Sequence, residues 1–270
     1  MTLTSKTDQP IGIFDSGIGG LTVYSEIRKK LPDESLIYLG DTARVPYGTK
    51  TAETIIRYSI ENARFLLQRK VKAIVVACNT ASALALSHLK SEIDVPVIGV
   101  VMPGAKIAIE KTKKNIIGVI GTEATVASSA YAKALRSLSK DVKVVSQSCP
   151  LFVPLVEEGW IDNEVAEVAA KTYLSGMKEE GIDVLVLGCT HYPLLKKVIS
   201  NVVGSEILLV DSASTTADAL DLLLSEYKLK KASKEKANHQ IYVTDLPARF
   251  ESMARRFLGD DIPQIKHVVI

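Results

Sequence analysis

Short apolar runs alternate with longer stretches of helical periodicity along the whole chain. Residues 11–16, 35–41, 73–77, 95–100, 115–122, 142–147, 206–210, 241–244 and 267–270, with the run from Asp183 up to Cys189, read as strands. Apolar residues recurring every three or four positions predict helices over 21–31, 51–69, 102–113, 123–139, 163–180, 194–203, 213–227 and 248–258, and a further one starting near Thr80 or Ser82. In 51–69 the stripe is Ile55, Ile56, Ile60, Ala63, Leu66 and Leu67. Residues 152–160 are mixed, and 228–236 is a lysine-rich solvated loop. Strands that alternate with helices throughout define an α/β protein with mainly parallel sheets.

The pattern also repeats. IGIFDS from Ile11 resembles IGVIGT from Ile117, 106 positions on, and VVACNT resembles VLGCTH, their cysteines Cys78 and Cys189 lying 111 positions apart. A near-constant offset predicts two similar Rossmann-like or flavodoxin-like domains, related by a pseudo-two-fold axis, with the site in the cleft between them. The first domain is discontinuous, 1–100 plus 211–270, and the second is 101–210.

Composition narrows the partners. The 270 residues carry 33 basic and 31 acidic side chains, a net charge of +2, which gives no reason for a nucleic-acid partner. Residues 1–10 have no apolar signal core, and no apolar run reaches the roughly 18 to 20 residues of a membrane span. Three cysteines without a CxxC pair fit a reducing compartment, so a cytoplasmic protein with no membrane partner is expected. The four histidines are scattered, and no metal site is expected.

Each of Cys78 and Cys189 ends a strand and opens a helix. A helix N-terminus favours the thiolate, and ligands of open α/β sheets bind outside the carboxyl ends of strands. One thiolate on each wall of a cleft can take a proton from one face of a carbon while the opposite thiol delivers one to the other face, inverting a stereocentre. Cys149, before Pro150, reads as a small core residue. Asp15 and Asp41 each end a strand at the Cys78 edge, Asp15 with helix capping as its other reading. His191 is two residues past Cys189. Spacing does not separate Glu157 from Glu158. The glycine turn 17–20 lacks the lysine ending of a P-loop. Arg44, in a loop, reads as solvent-exposed.

IFDSGIGGLTV from Ile13, GDTARVPYG from Gly40, ACNTASA from Ala77, FVPLVEEG from Phe152 and LGCTHYPLL from Leu187 together resemble the bacterial glutamate racemases of the aspartate/glutamate racemase superfamily, in order and over essentially the whole chain. The resemblance implies interconversion of L- and D-glutamate without a cofactor, supplying D-glutamate for peptidoglycan, in a homodimer. It makes Cys78 the base for D-glutamate and Cys189 the base for L-glutamate. Asp15 and Asp41 assist the first and Glu157 and His191 the second, while Glu158 is left as a solvated charge. The substrate's carboxylates are expected to meet neutral donors, Ser16, Asn79, Thr80, Thr122 and Thr190, beside the loop Pro46, Tyr47 and Gly48. Asp15 and His191 are expected to touch the substrate as well. An aspartate racemase would share the machinery with a different pocket depth; a non-catalytic two-domain binding protein is the reading from another class.

Overall fold

The structure, a computed structural model, describes residues 5–233 and 235–270. Residues 1–4 of the polar start and Lys234 of the lysine-rich stretch lie outside the described residues. The strands are β1 (Ile11–Asp15), β2 (Leu36–Gly40), β3 (Ala73–Val76), β4 (Val97–Gly99), β5 (Ile116–Gly121), β6 (Lys143–Ser148), β7 (Val184–Gly188), β8 (Leu208–Asp211), β9 (His239–Val243) and β10 (Ile265–His267). They form a six-stranded sheet ordered β10-β9-β2-β1-β3-β4 and a four-stranded sheet ordered β6-β5-β7-β8. All the strand pairings are parallel. The order β2-β1-β3-β4 thus recurs as β6-β5-β7-β8, which is the sequence repeat in three dimensions.

The helices are α1 (Leu21–Lys30), α2 (Ala52–Leu67), α3 (Asn79–Leu84), α4 (Leu86–Glu92), α5 (Val101–Lys111), α6 (Glu123–Ala127), α7 (Ala130–Leu138), α8 (Phe152–Glu158), α9 (Glu164–Glu179), α10 (Lys196–Val203), α11 (Ser212–Glu226) and α12 (Pro247–Leu258). They cover both faces of each sheet. Ile11, Ile13 and Val75 join the core under α1, α11 and α12, whereas Phe14, Ile74 and Val76 join the one under α2, α3 and α4. Successive strand residues point to opposite faces, and β1, β2, β3 and β7 are buried at every position, apolar throughout except for Asp15 at the end of β1 and Tyr38 in β2. The polar run KVVSQS of β6 is instead half-exposed at a sheet edge.

Three features depart most from the sequence pattern. The helix expected over 123–139 is two, α6 and α7, broken at Ser129, whose φ is 56°. The Ser128 hydroxyl there accepts from the Ala130 N–H at 3.1 Å, offering the backbone an alternative to the helical bond. The last strand falls at Ile265–His267, where it pairs with β9. The lysine-rich loop is anchored: Leu229 is buried and the Lys231 N–H donates to Glu34 at 2.8 Å.

That anchor belongs to a buried ion pair. Lys72, fully buried before β3, donates to the Glu34 carboxylate at 2.5 Å and to the Thr7 carbonyl at 2.6 Å. Replacing Lys72 with Met strands the carboxylate, and about 3–5 kcal/mol of stability should be lost, read as a fall in the urea midpoint. Adding Glu34→Gln should recover part of it, because the amide oxygen still accepts from Lys231.

Candidate active site

Residues that directly follow strands of both sheets line one cavity of about 170 Å³, a size suited to a small metabolite. Ser16 and Gly17 follow β1, Cys78, Asn79 and Thr80 follow β3, Thr122 follows β5, and Cys189, Thr190 and His191 follow β7. The loop Pro46, Tyr47 and Gly48 closes it opposite Thr122; a Cβ on Gly48 would stand 2.8 Å from that of Thr122. Glu157, from α8, completes the Cys189 side. Of the expected site residues only Asp15 and Asp41 are set behind the wall, both fully buried.

Cys78 caps the start of α3, its sulfur accepting from the Ala81 N–H at 3.5 Å, and its S–H donates to Ser16 Oγ at 3.7 Å. The helix start does not make this thiol acidic. Burial pushes its pKa up to about 12, the charge of Asp15 adds to the rise, and the bonds from Ala81 and Ser16 oppose it only in part. Desolvation outweighs the helix terminus. Cys189 departs further from the expected pattern, because a turn and a short 3-10 segment (Tyr192–Leu195) separate it from α10. Its partner is His191: Nδ1 lies 3.9 Å from the sulfur, and Nε2 lies 3.2 Å from Glu157 Oε1. Charge on Cys189 would add to the rise at Cys78.

Burial disfavours the charged ring of His191, but its bonds to Cys189 and Glu157 override this and hold its pKa at about 10. Both ring nitrogens then donate at neutral pH. Since this value lies above the ordinary 6.5, the charge contributes stability that is complete below about pH 6.5 and lost as pH rises through about 10. Denaturant unfolding of wild type and His191→Gln should therefore show a stability gap that narrows from pH 6.5 to 10.

Asp15 does not cap α1, which begins after Gly20. Its carboxylate accepts from the Gly17 N–H at 3.0 Å and from Thr190 Oγ1 at 3.5 Å. Burial raises its pKa, and the charge of His191 works against that rise. Asp41 accepts from Arg44 Nε, Thr244 Oγ1 and the Tyr47 hydroxyl, and so holds the 46–48 loop. Arg44 is correspondingly not solvent-exposed; it pairs with Asp41 and Glu61 and lies over the Tyr58 ring. The i, i+3 spacing of Asp41 and Arg44 is the signal that would have found it. Glu158 is exposed.

Several bonds join the two sheets' elements beside the cavity. Thr80, Thr122 and Thr125 share hydroxyl bonds of 3.0–3.1 Å. Asn79 Oδ1 accepts from the Tyr131 hydroxyl at 2.6 Å, and its amide donates to Ser212 at 3.3 Å. Thr125 and Tyr131 were not expected; Thr125 was readable as the third residue after a helix-capping Thr122, whereas nothing in the sequence marks Tyr131. Cys149 is fully buried in the core with Phe152 and Tyr192. Among the described residues no cluster of three or more His, Cys, Asp or Glu side chains could hold a metal ion, and no helix is long and apolar enough to cross a membrane.

The two parallel α/β sheets are shared with known proteins. The family model for Asp/Glu/Hydantoin racemase matches residues 11–220, and the chain belongs to that family, as an isomerase. The glutamate racemase of Geobacter metallireducens is 55% identical over 96% of each chain. The crystal structure of glutamate racemase isoform RacE1 from Bacillus anthracis matches with a TM-score of 0.94 at 41% identity over 98% of each chain. That of the Francisella tularensis glutamate racemase in complex with D-glutamate matches with a TM-score of 0.91 at 39% identity, over 97% of this chain and 98% of the other. Within the family, this chain sits with the glutamate racemases.

Proposed function

We propose that the chain interconverts L- and D-glutamate by a two-base mechanism, with Cys78 and Cys189 working on opposite faces of the α-carbon. The observation that carries this reading is the presence of both thiols on one small cavity, each from the equivalent strand end of its sheet. In the L to D direction the Cys189 sulfur takes the α-proton and the bonding pair stays on carbon. The Cys78 S–H then delivers its proton to the other face, and the reverse direction exchanges the roles. The high thiol pKa suits Cys78 as the resting proton donor. In the D to L direction it must act as a base, and the positive charge of the substrate ammonium would favour the thiolate there. His191, oriented by Glu157, serves Cys189 in the same way. Asp41 acts through Tyr47. The hydroxyls of Ser16, Thr80, Thr122 and Thr190 and the N–H groups at Asn79 and Thr80 would hold the carboxylates, so these fixed dipoles, with the His191 imidazolium beside Cys189, stabilise the carbanion.

The two lobes of this enzyme are 1–100 with 211–270, and 101–210. Supporting this division, the strands of the six-stranded sheet fall within 11–99 and 239–267, and those of the four-stranded sheet within 116–211, ending one residue past the boundary at Asp211. By its resemblance it works in the cytoplasm as a homodimer and supplies D-glutamate for peptidoglycan; free Cys78, Cys149 and Cys189 fit that compartment. The test is circular dichroism of L-glutamate incubated with the purified chain, without pyridoxal phosphate, beside L-aspartate. Loss of optical activity with glutamate is expected; turnover of aspartate alone would replace this reading with the sister activity.

A further inference from the structure

The Cys189 side of the cavity is braced from the opposite sheet. Phe257 of α12 packs against the cores of both sheets, and its ring meets the His191 ring edge-on at 6.2 Å between centroids. The next residue back, Arg256, donates from its guanidinium to the carbonyl of Glu157. It also lies against Gly159, the left-handed residue that ends α8, where a Cβ would stand 2.9 Å from Arg256 Cζ. Two adjacent residues of one helix therefore touch both members of the pair beside Cys189. The direct partners of Cys78, by contrast, are Ser16, Ala81 and Asp15 of its own sheet's elements, and neither Arg256 nor Phe257 is among them.

We propose that α12 is the positioning element for the Cys189 half of the reaction, with Phe257 fixing the His191 ring and Arg256 fixing the end of α8 that carries Glu157. The proposal rests on the two-thiol reading above. It assigns Arg256 and Phe257 no contact with substrate; they act through His191 and Glu157. Misalignment of a general acid–base group forfeits part of its contribution, so the Cys189 step alone should slow.

An isotope experiment separates this role from a general structural one. Because L- and D-glutamate are enantiomers, their equilibrium constant is one, and any variant must lower kcat/KM equally in both directions. The balance between the two proton transfers is free to change. In Arg256→Ala and Phe257→Ala, kcat/KM should fall on the order of tenfold. The primary isotope effect of 2-deuterated L-glutamate should rise, since Cys189 breaks that bond, while that of 2-deuterated D-glutamate should fall. Arg256→Lys, which keeps a donor, should stay near wild type. Phe257→Leu keeps bulk between the two cores should the alanine variant fail to fold, and should shift the isotope effects in the same sense. Unchanged isotope effects in soluble Arg256→Ala and Phe257→Leu, with Cys189→Ser inactive, would overturn the role of α12 alone. Full turnover by Cys189→Ser would instead overturn the two-thiol reading and this proposal with it.

Discussion

Cys78→Ser and Cys189→Ser should each lower racemisation by about a thousandfold, in both directions, with the fold retained. A positioned acid or base contributes roughly 10²–10⁴ in rate, and a serine hydroxyl holds its proton far too tightly to exchange roles with a thiolate. The two variants should fail alike, because each proton transfer lies on the route of both enantiomers. The control is Cys149→Ser. That thiol is just as buried, near the Gln147 carbonyl at 3.8 Å, but it is absent from the cavity wall. Its serine variant should keep activity within a few-fold, since the hydroxyl has the same carbonyl to donate to. Polarimetric assays of all three from L- and from D-glutamate check this, and wild-type turnover by either cavity variant sinks the two-base mechanism.

The pairing of these cysteines was legible in the chain because strand ends are. A run such as AIVVACNT announces a buried strand and the turn after it, and VLGCTH announces the same turn again. The repeat predicted two similar halves, and in the structure the order β2-β1-β3-β4 returns as β6-β5-β7-β8. What the pattern could not carry is how far burial reaches. The start of α3 suggested an acidic Cys78, but the sulfur's loss of water and the neighbouring Asp15 dominate, and neither is local in sequence. Arg44 looked like a solvated loop cation because Glu61 and Tyr58, on α2, are distant along the chain. Arg256 and Phe257 stand in an ordinary amphipathic helix near the end of the chain, and only the packing of α12 across both cores brings them to His191 and Glu157.

The glycine turn 17–20 yields the second large effect, and for a steric reason rather than an anionic one. A Cβ on Gly19 would stand 2.4 Å from both His191 Nδ1 and Thr190 Oγ1. Neither neighbour has room to yield. The His191 ring is bounded by Cys189, Glu157 and Phe257, while the Thr190 carbonyl accepts from Thr22 at 3.0 Å. Gly19→Ala should therefore drive the β1 loop away from the Thr190–His191 turn, widening the cavity at the imidazole that serves Cys189. Displacement of a catalytic group by about 1 Å costs on the order of a hundredfold in rate, and that is the fall in kcat expected here. Overpacking of this kind also removes about 1–3 kcal/mol of stability, which thermal unfolding will register. Gly176→Ala is the counterpart: its Cβ meets nothing within 4 Å on α9, so it should gain about 0.4–1 kcal/mol and leave the rate alone. If Gly19→Ala instead racemises at the wild-type rate, the two halves do not approach this closely during turnover, and the hydrogen bonds from Thr22 and Thr190 across the cleft belong to a resting state that opens before reaction.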